Sequence, residues 1–159
     1  MTAEERAALR QLYNFHCGYC GVGETDVGAA LTIDHFQPIS RGGDDIPANW
    51  VYCCFACNNA KGNHWQPSSP QRILHPLHDN LSEHIVEQGD GTLLGLTAIG
   101  HFHILRLRLN RPALVAYRLE KHGREREALR HTEIVRSLTE AQQEIRLLRQ
   151  RLEQQLRGE

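Results

Sequence analysis

The sequence predicts a small α+β protein: a module of two strands and a helix, then a β-hairpin, then a long helical tail. Three observations predict it. Two Cys-x-x-Cys pairs, Cys17-Gly18-Tyr19-Cys20 and Cys54-Phe55-Ala56-Cys57, lie 33 residues apart, counted between Cys20 and Cys54. Two short runs, His84-Ile85-Val86 and Thr92-Leu93-Leu94, flank Gly89-Asp90-Gly91, a hairpin signal. From His131 the apolar residues follow a heptad, with Leu138, Ile145 and Leu152 at one position and Ile134, Ala141 and Leu148 at the other. At 159 residues the chain suits one domain with an appendage. We divide it into a cysteine-tied module over 1–72, a hairpin-and-helix extension over 73–110 and a basic helical tail over 111–159.

Each element has a local cause. Thr2 and Glu5 form a capping box for a first helix that runs to about Asn14 through Ala7, Ala8, Leu9, Leu12 and Tyr13. The Cys- and Gly-rich stretch from Cys17 to Gly28 reads as a tight knuckle. Leu31 to His35 suits a short strand, and Trp50 to Cys54 a second one; Gly42-Gly43-Asp44-Asp45 marks the loop between them. A helix over 56–63 must end before Pro67 and Pro70. Thr97 caps a helix carrying Ile99, Phe102, Leu105 and Leu109; the alternation of Leu105, Leu107 and Leu109 with Arg106 and Arg108 leaves a strand as the second reading. Asn110 and Pro112 open the tail helix, with Gly123 as a candidate break. The heptad implies a helix that pairs with something or packs on its own body.

Charge is unevenly spread. The net value of −1 combines an acidic stretch over 1–105, five Lys or Arg against eleven Asp or Glu, with a basic stretch over 106–159, thirteen against eight. That excludes a uniformly cationic coat but leaves room for a local basic patch. No apolar run approaches the roughly 18 residues a membrane span needs, and the amphipathic start is unlike a signal peptide. The expectation is a cytoplasmic protein without a membrane contact.

Four of the five cysteines form the two pairs. Each pair brings two sulfurs to one ion from a single turn, so Cys17, Cys20, Cys54 and Cys57 can supply a tetrahedral Zn²⁺. Thiolates disfavour magnesium and calcium. Disulfides suit an oxidising compartment, and a redox pair leaves the second motif unexplained. Four sulfurs leave no open coordination position, so this zinc is structural. Cys53 reads as a small buried residue that could compete with Cys54.

Between the pairs, Asp34-His35 ends a strand, Asn49 follows His35 by fourteen residues, Asn58 follows Asn49 by nine, and Lys61 lies three further on. Taken singly, Asp34 could cap a turn, His35 could be a satisfied histidine, and Asn58 could cap the helix. Together with Pro38, Gly42-Gly43 and the cysteines, the segment from Cys17 to Lys61 resembles the HNH endonucleases, in the zinc-stapled branch of that ββα-metal family. The segment from Gly95 to Pro112 is similar, less specifically, to the trailing part of a bacterial subgroup.

The resemblance implies a catalytic set of His35, Asn49 and Lys61. His35 would activate water, Asn49 would hold the His-bearing loop through backbone hydrogen bonds, and Lys61 would meet a phosphate or brace the loop. A neutral imidazole is a suitable base near pH 7. The resemblance also implies one divalent ion, Mg²⁺ or Mn²⁺, held by the oxygens of Asp34 and Asn58. Many relatives carry His where this chain has Asn58, which favours a hard ion. The implied reaction is hydrolysis of phosphodiester bonds in DNA, one strand per site. The tail over 131–159 offers a homodimer or a protein partner, and an alternative reading is a subunit of a larger bacterial defence complex, inactive or gated until assembled. DNA attraction would fall to Arg106, Arg108, Arg111, Arg118 and the arginines beyond Gly123, giving weak, salt-sensitive binding. His64 reads as a surface histidine. His101 and His103 share a face only if their segment is a strand.

Overall fold

The computed structural model describes residues 1–157, with side chains through Gln154. The chain forms two units, one of Met1–Ala116 and one starting at Tyr117.

Helix α1 (Ala3–Leu12) starts at the capping box, where the Thr2 N–H donates to Glu5 at 2.6 Å and the Glu5 N–H donates to the Thr2 hydroxyl at 3.2 Å. Its buried face is narrower than its apolar sequence suggests: Leu9 is buried, as is Tyr13 beyond the helix end, and Leu12 is 59% exposed. Arg6 donates to the Leu31 carbonyl at 2.8 Å, tying α1 to the first strand. Arg10 forms a bidentate pair with Glu24 at 2.8 and 2.7 Å. Glu24 begins α2 (Glu24–Val27), a single helical turn that the sequence reading leaves inside the knuckle.

Strand β1 (Thr32–His35) pairs antiparallel with β2 (Trp50–Cys53), with Asp34 opposite Val51 and His35 opposite Trp50. All four β2 residues are buried, because this run of large apolar side chains is covered on both faces. The strand stops one residue earlier than expected, since Cys54 is the N-cap of α3 (Phe55–Lys61). Helix α3 ends before either proline: Gly62 adopts φ 54°, ψ −139°, and turns the chain out of the helix.

A second antiparallel pair joins β3 (Ile85–Glu87) and β4 (Leu93–Gly95) around the expected turn. Helix α4 (Ala98–Arg106) is capped by the Thr97 hydroxyl, which accepts from the Gly100 N–H at 3.1 Å. The expected continuation to Leu109 fails because Arg108 takes φ 54°; Leu107 and Leu109 are buried outside the helix. Helix α5 (Pro112–Arg157) corrects two further expectations. Asn110 does not cap it. Its amide instead pairs with both backbone groups of Leu93, at 2.7 and 2.8 Å, satisfying the outer edge of β4. Gly123 does not break it, and the helix runs through that position. Among the described residues, no helix is long and apolar enough to cross a membrane. The first unit is therefore a β-hairpin crossed by a short helix, with four cysteines at its base, followed by a second hairpin and α4.

Candidate active site and metal centre

The sulfur atoms of Cys17, Cys20, Cys54 and Cys57 all lie within 4.8 Å of one another, the single such cluster among the described residues. Sequence builds it locally. Gly21 takes φ 74° and lets its N–H return to the Cys17 carbonyl at 2.8 Å, closing the first turn. The Gly18 N–H donates to the Tyr52 carbonyl at 2.8 Å, so the knuckle hangs on β2. The second pair spans the start of α3, whose first turn places Cys54 and Cys57 on the same side. Hydrogen bonds from Cys17, Cys20 and Cys57 hold Cys54 far below the usual thiol range. Hydrogen bonding to Cys17 and its neighbours pushes Cys20 and Cys57 far above it. Four converging sulfurs, three of them buried, could hold a structural metal with no coordination position left open. The Arg111 guanidinium lies against it, 3.8 and 3.9 Å from Cys57 Sγ and 3.9 Å from Cys54 Sγ. Cys53 stands apart: it is fully buried, near the Thr32 hydroxyl, and burial raises its thiol pKa.

At the far end of β1, His35 is about one-third exposed and its Nε2 lies 2.8 Å from Asp45 Oδ1. A carboxylate can only accept, so in the neutral imidazole the proton is on Nε2 and the lone pair on Nδ1. The indole N–H of Trp50 donates to the same Asp45 oxygen at 2.8 Å. Hydrogen bonds from His35 first, and from Trp50, lower the Asp45 carboxyl below its ordinary range. Asn49 sets this geometry. Its Oδ1 accepts from the Gln37 N–H at 2.8 Å, and its Nδ2 donates to the carbonyls of Gln37 at 2.9 Å and Asp44 at 2.8 Å. One side chain thus staples the loop after His35 to the loop that carries Asp45. Gly43 is required there, because a Cβ would lie 2.0 Å from the Gln37 carbonyl oxygen.

Asp34 points to the other side of the strand and is 6% exposed. Its Oδ1 accepts from Lys61 Nζ at 2.9 Å and its Oδ2 from the Tyr19 hydroxyl at 2.7 Å. Burial raises the Asp34 carboxyl, and the Lys61 charge works against that rise. Burial and the Asp34 charge push Tyr19 well above its usual range, so it stays a donor. Lys61 is 1% exposed and also donates to the His35 carbonyl at 2.8 Å, so it braces the strand end from inside instead of facing a phosphate in solvent. Asn58 is one turn earlier on α3. Its Nδ2 sits 3.3 Å from the Thr32 hydroxyl and 3.4 Å from the Ile33 carbonyl, so the structure joins Asp34 to Lys61 and not directly to Asn58. It lies within α3 and does not cap it. An ionised carboxylate offers about four acceptor positions, of which Asp34 uses two. Asn58 Oδ1 accepts no hydrogen bond among the described residues. Both residues therefore keep oxygen donors of the kind a hard divalent ion takes.

His64 bonds to the Gln71 carbonyl at 2.7 Å, and His101 is exposed while His103 is fully buried, as their helix requires. Two arginines expected to attract DNA are used internally: Arg106 donates to the Lys61 carbonyl at 2.8 Å, and Arg111 faces the cysteines. Sequence reasoning missed Asp45 and Tyr19. The signal for Asp45 was the strand register, which sets Trp50 beside His35 and brings the preceding loop within reach. Tyr19 lay inside a motif already assigned to metal.

Residues 17–64 match the family model described as HNH endonuclease. No curated protein and no solved structure matches the chain. The module in residues 17–64 is thus of HNH type, a class that supports nuclease chemistry.

Proposed function

We propose that the chain is a metal-dependent endonuclease that hydrolyses phosphodiester bonds in DNA. The observation that carries this reading is the His35–Asp45 pair at 2.8 Å, held at the end of β1 within the HNH segment. Asp45 fixes the imidazole with its proton on Nε2, and Nδ1 takes a proton from the attacking water. Asp45 stabilises the imidazolium that forms. Asn49 keeps both loops at that spacing, and Lys61 fixes the backbone of His35 from beneath. Asp34 and Asn58 would hold Mg²⁺ or Mn²⁺, which when bound supplies Lewis-acid stabilisation of the phosphate and the departing oxygen. The four cysteines would hold Zn²⁺, joining the knuckle to α3.

The test is nicking of supercoiled DNA with Mg²⁺, Mn²⁺ or EDTA. Cleavage is expected with either ion and not with EDTA. His35→Ala, with fold and metal content intact, should lose about a hundredfold or more, and Asp45→Asn should fall between the two. Unchanged cleavage by His35→Ala overturns the mechanism.

A further inference from the structure

Helix α5 carries an apolar stripe that the chain leaves uncovered. Ile134, Leu138, Ile145, Leu148 and Leu152 are each between 51% and 59% exposed. With Ala141 they fill six successive seam positions of a coiled coil, Leu138, Ile145 and Leu152 at a and Ile134, Ala141 and Leu148 at d. A solvated helix of this length with a continuous apolar seam is stable when the seam is covered. We propose that it is covered by a second copy of the chain, aligned parallel and in register.

The flanking charges select that partner and that direction. In a parallel pair, the g residue of one helix faces the e residue five positions on in the other. Glu144 at g then meets Arg149 of the second copy at e, and symmetry makes the contact twice. Neither residue forms an ion pair inside the chain among the described residues; the nearby Glu140 is taken by Arg136 at 3.1 Å. The antiparallel alignment that keeps the same six layers sets Glu144 beside Glu144 of the other copy, a like-charge contact. Chain connectivity then tethers both nuclease modules at the same end of the pair, which supplies two strand-cutting sites per assembly. The pairing itself does not depend on the nuclease reading.

The test is the mass of the full-length chain by size exclusion with light scattering at tens of micromolar. A mass near twice 18.1 kDa is expected. Ile145→Asp should give a monomer that keeps its metal. Glu144→Arg should weaken the dimer about tenfold, and Glu144→Arg with Arg149→Glu should restore it, since both contacts are re-formed with reversed polarity. A wild-type monomer, or a dimer indifferent to Ile145→Asp, overturns the proposal. A double variant no tighter than the single one overturns the parallel register. A stable dimer with inactive His35→Ala and wild-type chains alike would leave pairing intact and sink only the nuclease reading.

Discussion

Asp34 is 6% exposed, and burial raises its carboxyl, while two donors on its oxygens, Lys61 and Tyr19, work against that rise. Removing one member of such a buried set leaves the others unpaired, which costs far more than the set contributes. Arg111 does comparable work at the sulfurs. Four thiolates around a divalent ion carry a net charge of −2, and the guanidinium offers N–H donors to Cys54 and Cys57 at 3.8–3.9 Å. Arg111→Gln should therefore speed metal transfer to a chromogenic chelator about tenfold, with Arg111→Lys retaining part of the protection. Equal transfer rates in Gln and wild-type proteins would show that the contact is incidental. At this scale the sequence was readable where spacing alone defined the chemistry, as for the four cysteines. Asp45 was not, because its partnership with His35 depends on strand register and on an Asn49 staple, both products of folding.

Among the elements, the capping box of α1, the two hairpins and the Thr97 cap were legible because each rests on local bonds. The errors came where local preference lost to context. Gly costs a helix about 1 kcal/mol, too little to interrupt α5 at Gly123. Asn110 is a good cap, but the unpaired edge of β4 engages it first. Helix α4 also buries a histidine. His103 Nδ1 accepts from the Leu74 N–H at 3.0 Å, and its Nε2 is buried with no partner among the described residues. Burial lowers its pKa to about 4, and that of His75 likewise. Between pH 4 and the ordinary 6.5, the unfolded chain binds protons that the folded chain refuses. Stability should thus be full above that window and fall as pH drops through it. His103→Asn keeps an acceptor for Leu74 but does not titrate. Denaturation midpoints from pH 4.5 to 7.5 should fall less steeply in this variant, by about one proton; parallel slopes would refute the assignment.

For the whole molecule, a net charge of −1 argues against a uniformly cationic surface for nucleic acid. The fold sharpens that objection, because Arg106 and Arg111 serve the interior and leave fewer cations for a DNA backbone. A paired α5 would double the cationic surface available to one DNA. The distribution of sulfur has a further consequence. Four thiols converge on one centre and the fifth, Cys53, is fully buried in β2. A metal-loaded sample should consume almost no thiol reagent, while chelator should release four sulfurs together and denaturant all five. Five reactive thiols before chelation would contradict the assignment. Oxidative inactivation then starts with loss of the metal, and Cys20, the partly exposed sulfur of the four, is the first it meets. Each molecule is either shielded or wholly open, and a sulfur titration measures the intact fraction of a preparation without any substrate.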